Sequence, residues 1–133
     1  MTGAERLGGH LSDTTCLVSL DLGCNFMRSA GLASLSGVIA ANTRLTSLGI
    51  GCNDIGAEGV RLLDAALSRS SSLTYLDLSK NDLGLEGANA LVPILCSKGK
   101  LSALSVGSNG ISSSCIVMIR QALVSNCVVE NGY

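Results

Sequence analysis

The stretches LVSLDLGCN (residues 17–25), LTSLGIGCN (45–53), LTYLDLSKN (73–81) and LSALSVGSN (101–109) are four copies of one motif. The copies start at residues 17, 45, 73 and 101, so the spacing is 28 residues each time. A repeat of this length is one supersecondary unit that buries its apolar face only by stacking on its neighbours. The sequence therefore predicts one elongated repeat domain spanning residues 1–133.

Each repeat changes its apolar period at the asparagine. Leu17, Leu20 and Leu22 occupy the first, fourth and sixth places of the first copy, and the last two alternate with small or polar residues. That alternation is typical of a short strand with one buried face. Beyond the asparagine, apolar residues recur at helical spacing, as in Val60, Leu63 and Leu67. Each repeat is thus predicted to be strand, turn, helix and return loop, and the helical crossovers make the strands parallel.

The asparagine column consists of Asn25, Asn53, Asn81 and Asn109. A side-chain amide at the bend after a strand can bond backbone groups that the turn leaves unpaired. The regularity of the column predicts a structural role for these residues.

The LxxLxLxxN pattern with a helical second half resembles the ribonuclease-inhibitor type of leucine-rich repeat. The resemblance covers residues 1 to about 128. It implies an α/β solenoid, a right-handed βα horseshoe arc with the parallel sheet on the concave face and helices on the convex face. It also implies a protein-binding role, most often inside the cell. One branch of the family activates the Ran GTPase, and another forms the sensor arm of NOD-like immune receptors.

The repeat register divides the chain. Residues 1–16 match the helical half of a repeat, because Gly3, Leu7 and Leu11 fall on the columns of Gly31, Leu35 and Ile39. Four repeats follow at 17–44, 45–72, 73–100 and 101–128, with a tail at 129–133, where Val129 would start a fifth strand. Open parallel edges template further pairing. We therefore expect either a piece of a longer array or a small protein that self-associates through uncapped ends.

Composition narrows the classes of partner. Charged residues make up 14% of the chain and the net charge is −1. The strand and ascending-loop side nevertheless carries six acids against two bases, Arg28 and Lys80, which favours a protein partner with a basic surface. The acids are Asp21, Asp54, Glu58, Asp77, Asp82 and Glu86. Nucleic acid is disfavoured because the strand face lacks a basic patch with aromatic residues. No apolar run is long enough to span a bilayer.

The six cysteines include no CxxC pair, so no zinc site is expected. Only Cys24 and Cys52 share a column, about 4.8 Å apart on neighbouring strands. That spacing permits a disulfide, but parallel Cβ vectors aim the sulfurs poorly. We therefore predict free thiols, which together with the absence of a signal pattern favour a cytoplasmic location.

The function predicted from these features is non-catalytic protein–protein interaction. The chain contains no phosphate-binding loop or nucleophile elbow, and we assign no catalytic, cofactor or metal residues. Alternatives implied by the resemblance are a GTPase-activating protein of the Ran type or the sensor arm of a NOD-like receptor, present as a fragment. The predicted partner-binding residues project from the strand face and its first turn. They are Ser19, Asp21, Ser47, Tyr75, Asp77, Lys80 and Ser105.

Overall fold

The computed structural model describes residues 3, 6, 7, 10, 16–70, 72–97 and 100–130, with side chains through residue 124. Four strands alternate with four helices along the described chain. The strands are β1 (Ser19–Asp21), β2 (Ser47–Gly49), β3 (Tyr75–Asp77) and β4 (Ala103–Ser105). The helices are α1 (Arg28–Ala41), α2 (Gly56–Arg69), α3 (Gly84–Ser97) and α4 (Ser113–Glu130).

The four strands form one parallel sheet in the order β1-β2-β3-β4. Every pair keeps the 28-residue register, so Leu20 lies opposite Leu48, Leu48 opposite Leu76 and Leu76 opposite Leu104. Neighbouring strands lie about 4.8 Å apart, whereas packed helices need about 8–10 Å. The stack therefore curves with the sheet on the concave face and the helices on the convex face. The predicted leucine-rich repeat solenoid is confirmed.

The core is a ladder of aliphatic side chains between the sheet and the helices. Leu48, Ile50, Val60 and Leu78 are fully buried, and Leu76 is 1% exposed. The corresponding residues of the outer repeats are only partly buried. They are Leu20, Leu22, Met27, Leu104, Val106 and Ile111. Each repeat is thus covered by its neighbours, and an outer repeat in the described chain has a neighbour on one side only.

A glycine in the first turn of the helix lets it approach the residue that follows the strand turn. A Cβ atom added at Gly59 would lie 2.6 Å from the Ile55 Cβ, and one added at Gly87 would lie 2.7 Å from the Leu83 Cβ. Any larger side chain would push the helix away from the core. In the fourth repeat Cys115 takes this place, and α4 begins one residue later in register than the preceding helices.

The two ends of the chain differ from expectation in one respect. Gly3, Arg6, Leu7 and His10 are helical, while the bounds of the predicted half-repeat 1–16 depend on residues outside the described set. The fifth strand predicted to start at Val129 is wrong, because α4 continues through Glu130. Only the first apolar place of the motif is filled there; the fourth is Gly132. Without a strand pattern to draw the backbone into the sheet, the helix continues.

Candidate protein-binding surface

The predicted site residues of the strands lie in two parallel rows on the concave face. One row runs Ser19, Ser47, Tyr75, Ala103, and the other runs Asp21, Gly49, Asp77, Ser105. None of these eight residues is buried. Because strand side chains alternate between faces, the leucines between the rows point into the core. The structure therefore brings six of the seven predicted residues onto one face.

Lys80, the seventh, stands beyond the end of β3 in a row of residues with left-handed backbone. Cys24, Cys52, Lys80 and Ser108 have φ values of 60°, 56°, 55° and 56°. In the first three of these residues the backbone N–H donates to a carbonyl of the following repeat, as Lys80 N–H does to Gly107 O at 2.9 Å. The Lys80 side chain is exposed beside the strand rows. It adds a cation at the edge of an otherwise acidic surface.

The two strand carboxylates are held by their own turns. Asp21 Oδ1 accepts a hydrogen bond from Gly23 N–H at 2.9 Å, and Asp77 Oδ1 accepts one from Ser79 N–H at 2.8 Å. An aspartate that bonds the backbone two residues ahead stabilises a turn. Each side chain also leans over a glycine of the next or preceding repeat. A Cβ at Gly49 would lie 2.8 Å from Asp21 Oδ1. The carboxylates are therefore pre-positioned, with one oxygen of each committed to the turn.

The helical cation Arg61 reduces the acidic excess on the loop side. Its guanidinium lies 3.2 Å from Glu58 Oε2 and 3.8 Å from Glu86 Oε2, so it bridges the first turns of α2 and α3. The sequence analysis counted only Arg28 and Lys80 as bases on this side of the molecule. Arg28 lies 3.7 Å from Asp54 Oδ2 in the same way. All five side chains are exposed, and such pairs contribute about 1 kcal/mol or less each. None of these salt bridges involves Asp21 or Asp77, so the strand face remains negatively charged.

The two cysteines of the shared column lie side by side as free thiols, as predicted. Hydrogen bonding to the Cys52 thiol and its charge raise the pKa of Cys24 above its ordinary value. A smaller opposing effect comes from Lys80, which lowers it. Cys16, Cys96 and Cys115 are also free, and the Cys127 side chain lies outside the described set.

Two aromatic residues stand on this side of the molecule. Tyr75 occupies an inner position of its strand row, between Ser47 and Ala103, and is 39% exposed. Phe26, which the sequence reading did not single out, is 82% exposed and has left-handed backbone with φ 48°. The sequence does mark Phe26 as unusual, because the residues at the same position in the other three repeats are Asp54, Asp82 and Gly110. An aromatic residue in a column of turn-forming residues is unusual.

The described residues hold no group of three or more histidine, cysteine or acidic side chains arranged to bind a metal ion. Among the described helices, none has both the length and the apolar character that a bilayer span requires.

Comparisons with known proteins agree with the geometry. A family model described as Leucine Rich repeat matches residues 41–63 and 69–92. These two segments fall on the second and third motif copies, and the parallel sheet extends the same register to the first and fourth. The chain therefore contains leucine-rich repeats and has the leucine-rich repeat fold. Among curated proteins none matches its sequence significantly.

Two solved structures share the fold. A chain described as Leiomodin-1 Actin-Binding Site 2 (ABS2) superposes with a TM-score of 0.84 at 18% identity, covering 98% of this chain and 77% of that one. A tropomodulin C-terminal domain from Caenorhabditis elegans superposes with a TM-score of 0.62 at 14% identity, covering 98% and 96%. At such identities the likeness concerns the fold.

Proposed function

We propose that the protein is a non-catalytic interaction module that binds a protein partner on the concave strand face and the adjoining loops. The observation that carries this proposal is the pair of in-register rows on the sheet, with Tyr75 on one of the two inner strands. Its neighbours in the row, Ser47 and Ala103, are small, so a partner can approach the ring from both sides. Tyrosine is one of the residues that most often contribute binding energy at the centre of a protein interface.

The chemistry of the face favours a partner with a basic surface. Asp21 and Asp77 are held in fixed positions by their turns, so binding would not need to order them. Their free oxygens can receive lysine or arginine side chains. Such complementarity acts most on the rate of association and on the choice of partner.

The area of the strand face sets the expected strength of binding. Four strands about 4.8 Å apart give a strip of roughly 300 Å², while a standard interface covers about 800 Å² on each partner. We therefore expect weak binding by the strands alone. The loop residues, including Lys80 and the exposed Phe26, would have to contribute.

Actin is the first partner to test, because the leiomodin chain that shares this fold is described as an actin-binding site. The Ran-type GTPase-activating role, the receptor sensor arm, the ribonuclease-inhibitor subtype and a scaffold role rest on the family resemblance. A cytoplasmic location is proposed from the free thiols and the absence of a signal pattern.

The test is capture of partners by the immobilised protein from lysate, with mass spectrometry, followed by titration of each purified candidate, actin included. Tyr75→Ala combined with Asp77→Lys should weaken capture while the circular dichroism spectrum stays unchanged. The matched control is Leu85→Ala with Asp64→Lys, which makes the same kinds of change on the helical face, where both residues are exposed. Equal loss of binding in the two double variants would contradict the proposal.

A further inference from the structure

Two free cysteines lie side by side where the first two strands run into their turns. Cys24 and Cys52 hold the same place in neighbouring repeats; Cys24 is exposed and Cys52 is partly exposed. The backbone N–H of Cys24 donates to Gly51 O at 2.9 Å, and that of Leu22 donates to Gly49 O at 2.7 Å, so the register of the sheet continues to this point. The Cα atoms of the two cysteines are therefore separated by about the strand spacing of 4.8 Å.

The two side chains leave the backbone in the same direction. Both residues are in the left-handed conformation, with φ 60° at Cys24 and 56° at Cys52, and the repeats are in register, so the Cα–Cβ bonds run parallel. The thiols are close enough to share a hydrogen bond. A disulfide needs Cβ atoms about 3.8 Å apart, and parallel bonds at strand spacing do not bring them together. The pair is thus arranged as two parallel thiol ligands.

The number of ligands decides which soft ion the pair can hold. Thiolates select Cu(I), zinc and iron–sulfur clusters, but zinc sites and iron–sulfur clusters take four ligands. Among the residues that the structure describes, no three histidine, cysteine or acidic side chains are grouped to bind a metal. Cu(I) is a soft ion that is also stable between two thiolates on opposite sides of it. Two bonds of about 2.3 Å, the length of a zinc–thiolate bond, separate such sulfurs by about 4.6 Å, close to the strand spacing.

The residues around the pair suit a soft cation held by two thiolates. Lys80 is the next residue of the same row, and the bond from Cys52 N–H to Ser79 O at 2.8 Å keeps its repeat in register. Its ammonium group would offset the negative charge of a site with one Cu(I) and two thiolates. The nearby carboxylates of Asp21 and Asp77 are hard ligands that suit Mg²⁺, Ca²⁺ or Mn²⁺ instead, and one oxygen of each is bound to its own turn.

We propose that Cys24 and Cys52 form a two-coordinate binding site for Cu(I). The ion binds both Sγ atoms, the two thiols release their two protons to solvent, and the charge of the site changes from zero to −1 without any change of oxidation state. Metal binding that releases protons in this way is general for thiol ligands. The site does not depend on the proposed protein partner, so its failure would leave the proposed function untouched.

The probe is Cu(I) supplied as its coloured bicinchoninate complex, without oxygen, to the whole 133-residue chain. Cys16, Cys96 and Cys127 are first changed to serine, so that they cannot contribute to binding, while the buried Cys115 is kept. A thiol assay confirms that the remaining cysteines are reduced. We expect the protein to withdraw one Cu(I) per chain from the coloured complex. X-ray absorption at the copper edge should then show two sulfur ligands and no oxygen or nitrogen ligand.

Variants with the same number of thiols test whether adjacency matters. In this background Cys24→Ser or Cys52→Ser alone should weaken Cu(I) binding by at least about a hundredfold, more than the loss of an outer-sphere partner of a metal ligand. Cys24→Ser with Lys80→Cys moves the pair one repeat along the row and should restore binding. The matched control is Cys24→Ser with Ser108→Cys. It leaves two thiols in the same left-handed row but about 9.6 Å apart, so it should not restore binding.

Several results would overturn the proposal. They are no transfer of Cu(I) to the protein, unchanged affinity in either single variant, or equal affinity of the adjacent and the separated pair. Conversion of the two thiols to a disulfide under the same conditions would also overturn it, because the pair would then be a redox couple and not a metal site. Circular dichroism of each variant separates loss of the site from loss of the fold.

Discussion

The side-chain oxygen of Asn81 accepts a hydrogen bond from the backbone N–H of Asn53 at 2.9 Å, 28 residues earlier in the chain. The same amide donates to Ile50 O at 2.9 Å, also in the preceding repeat. Asn81 is fully buried. One side chain therefore satisfies polar backbone groups of two adjacent repeats and ties them together, which a backbone ladder of three-residue strands could do only in part.

Asn81→Ala should accordingly lower the free energy of unfolding by about 3 kcal/mol, since it leaves buried donors and acceptors without partners. Asn25→Ala is the matched control. Asn25 is exposed, and within the part of the chain that the structure describes its side chain bonds only carbonyls of its own repeat, so its loss should cost about 1 kcal/mol. Chemical denaturation of the two variants gives the comparison, and equal costs would argue against a ladder that couples repeats.

Leucine truncations test how far each repeat depends on its neighbours. Leu76 is 1% exposed, and Leu76→Ala should cost about 2–5 kcal/mol. Leu104 occupies the same place in the last strand but is only partly buried, so Leu104→Ala should cost less. Urea denaturation of both variants decides this. If the costs were the same, stability would not follow nearest-neighbour packing.

The residue that opens each of the first three helices has left-handed backbone, with φ values of 56° at Arg28, 58° at Gly56 and 57° at Gly84. Gly84→Ala should destabilise the protein by about 1–2 kcal/mol, because a Cβ is strained in this conformation. No atom lies within 4 Å of the added Cβ, so a steric clash would not explain the loss.

Arg28→Gly is the reverse change and should stabilise the protein by about 0.5 kcal/mol, after allowance for the entropy of glycine and the exposed contact with Asp54. Thermal unfolding of both variants checks the signs. If Gly84→Ala left the stability unchanged, the left-handed backbone could not explain the predicted effect of either substitution.

The sequence could predict the structural features that recur in every repeat, but not those that are found in one repeat only. The register of Leu20, Leu48, Leu76 and Leu104 and the structural role of the asparagines follow from spacing, because identical units must pack identically. Phe26 and the bridging of Glu58 and Glu86 by Arg61 were missed. The first breaks its column, and the second joins residues of different repeats whose side-chain directions no periodicity defines. Whether Val129 starts a strand also depends on whether that segment can pair with β4, which the repeat pattern alone does not define.

The paired thiols give a prediction on reactivity. The pKa of Cys24 is raised chiefly by the hydrogen bond with Cys52, so less of its reactive thiolate is present at a given pH. Cys52→Ala removes that contact, lowers the pKa of Cys24 and should raise its alkylation rate below the folded-state pKa. Iodoacetamide labelling across a pH series, resolved by peptide mass spectrometry, measures this. Labelling of the exposed Cys96 should be unchanged, and an unaltered Cys24 profile would contradict the contact.

Self-association through the ends stays a prediction, and the last described helix, α4, has an exposed apolar surface that could support it. Val117, Met118 and Val124 of α4 are 51%, 46% and 61% exposed. The adjacent strand β4 is an outer strand of the sheet. Exposed apolar area next to an open strand edge favours pairing with a second copy. We expect light scattering to show a molar mass that rises with protein concentration.

Val117→Lys combined with Val124→Lys should restore the monomer, because it places two charges on that surface. Leu85→Lys, which alters an equally exposed residue of the inner helix α3, should leave association unchanged. A monomer at high concentration would show that these apolar side chains and the edge of β4 do not gain enough from burial to offset the entropy of association.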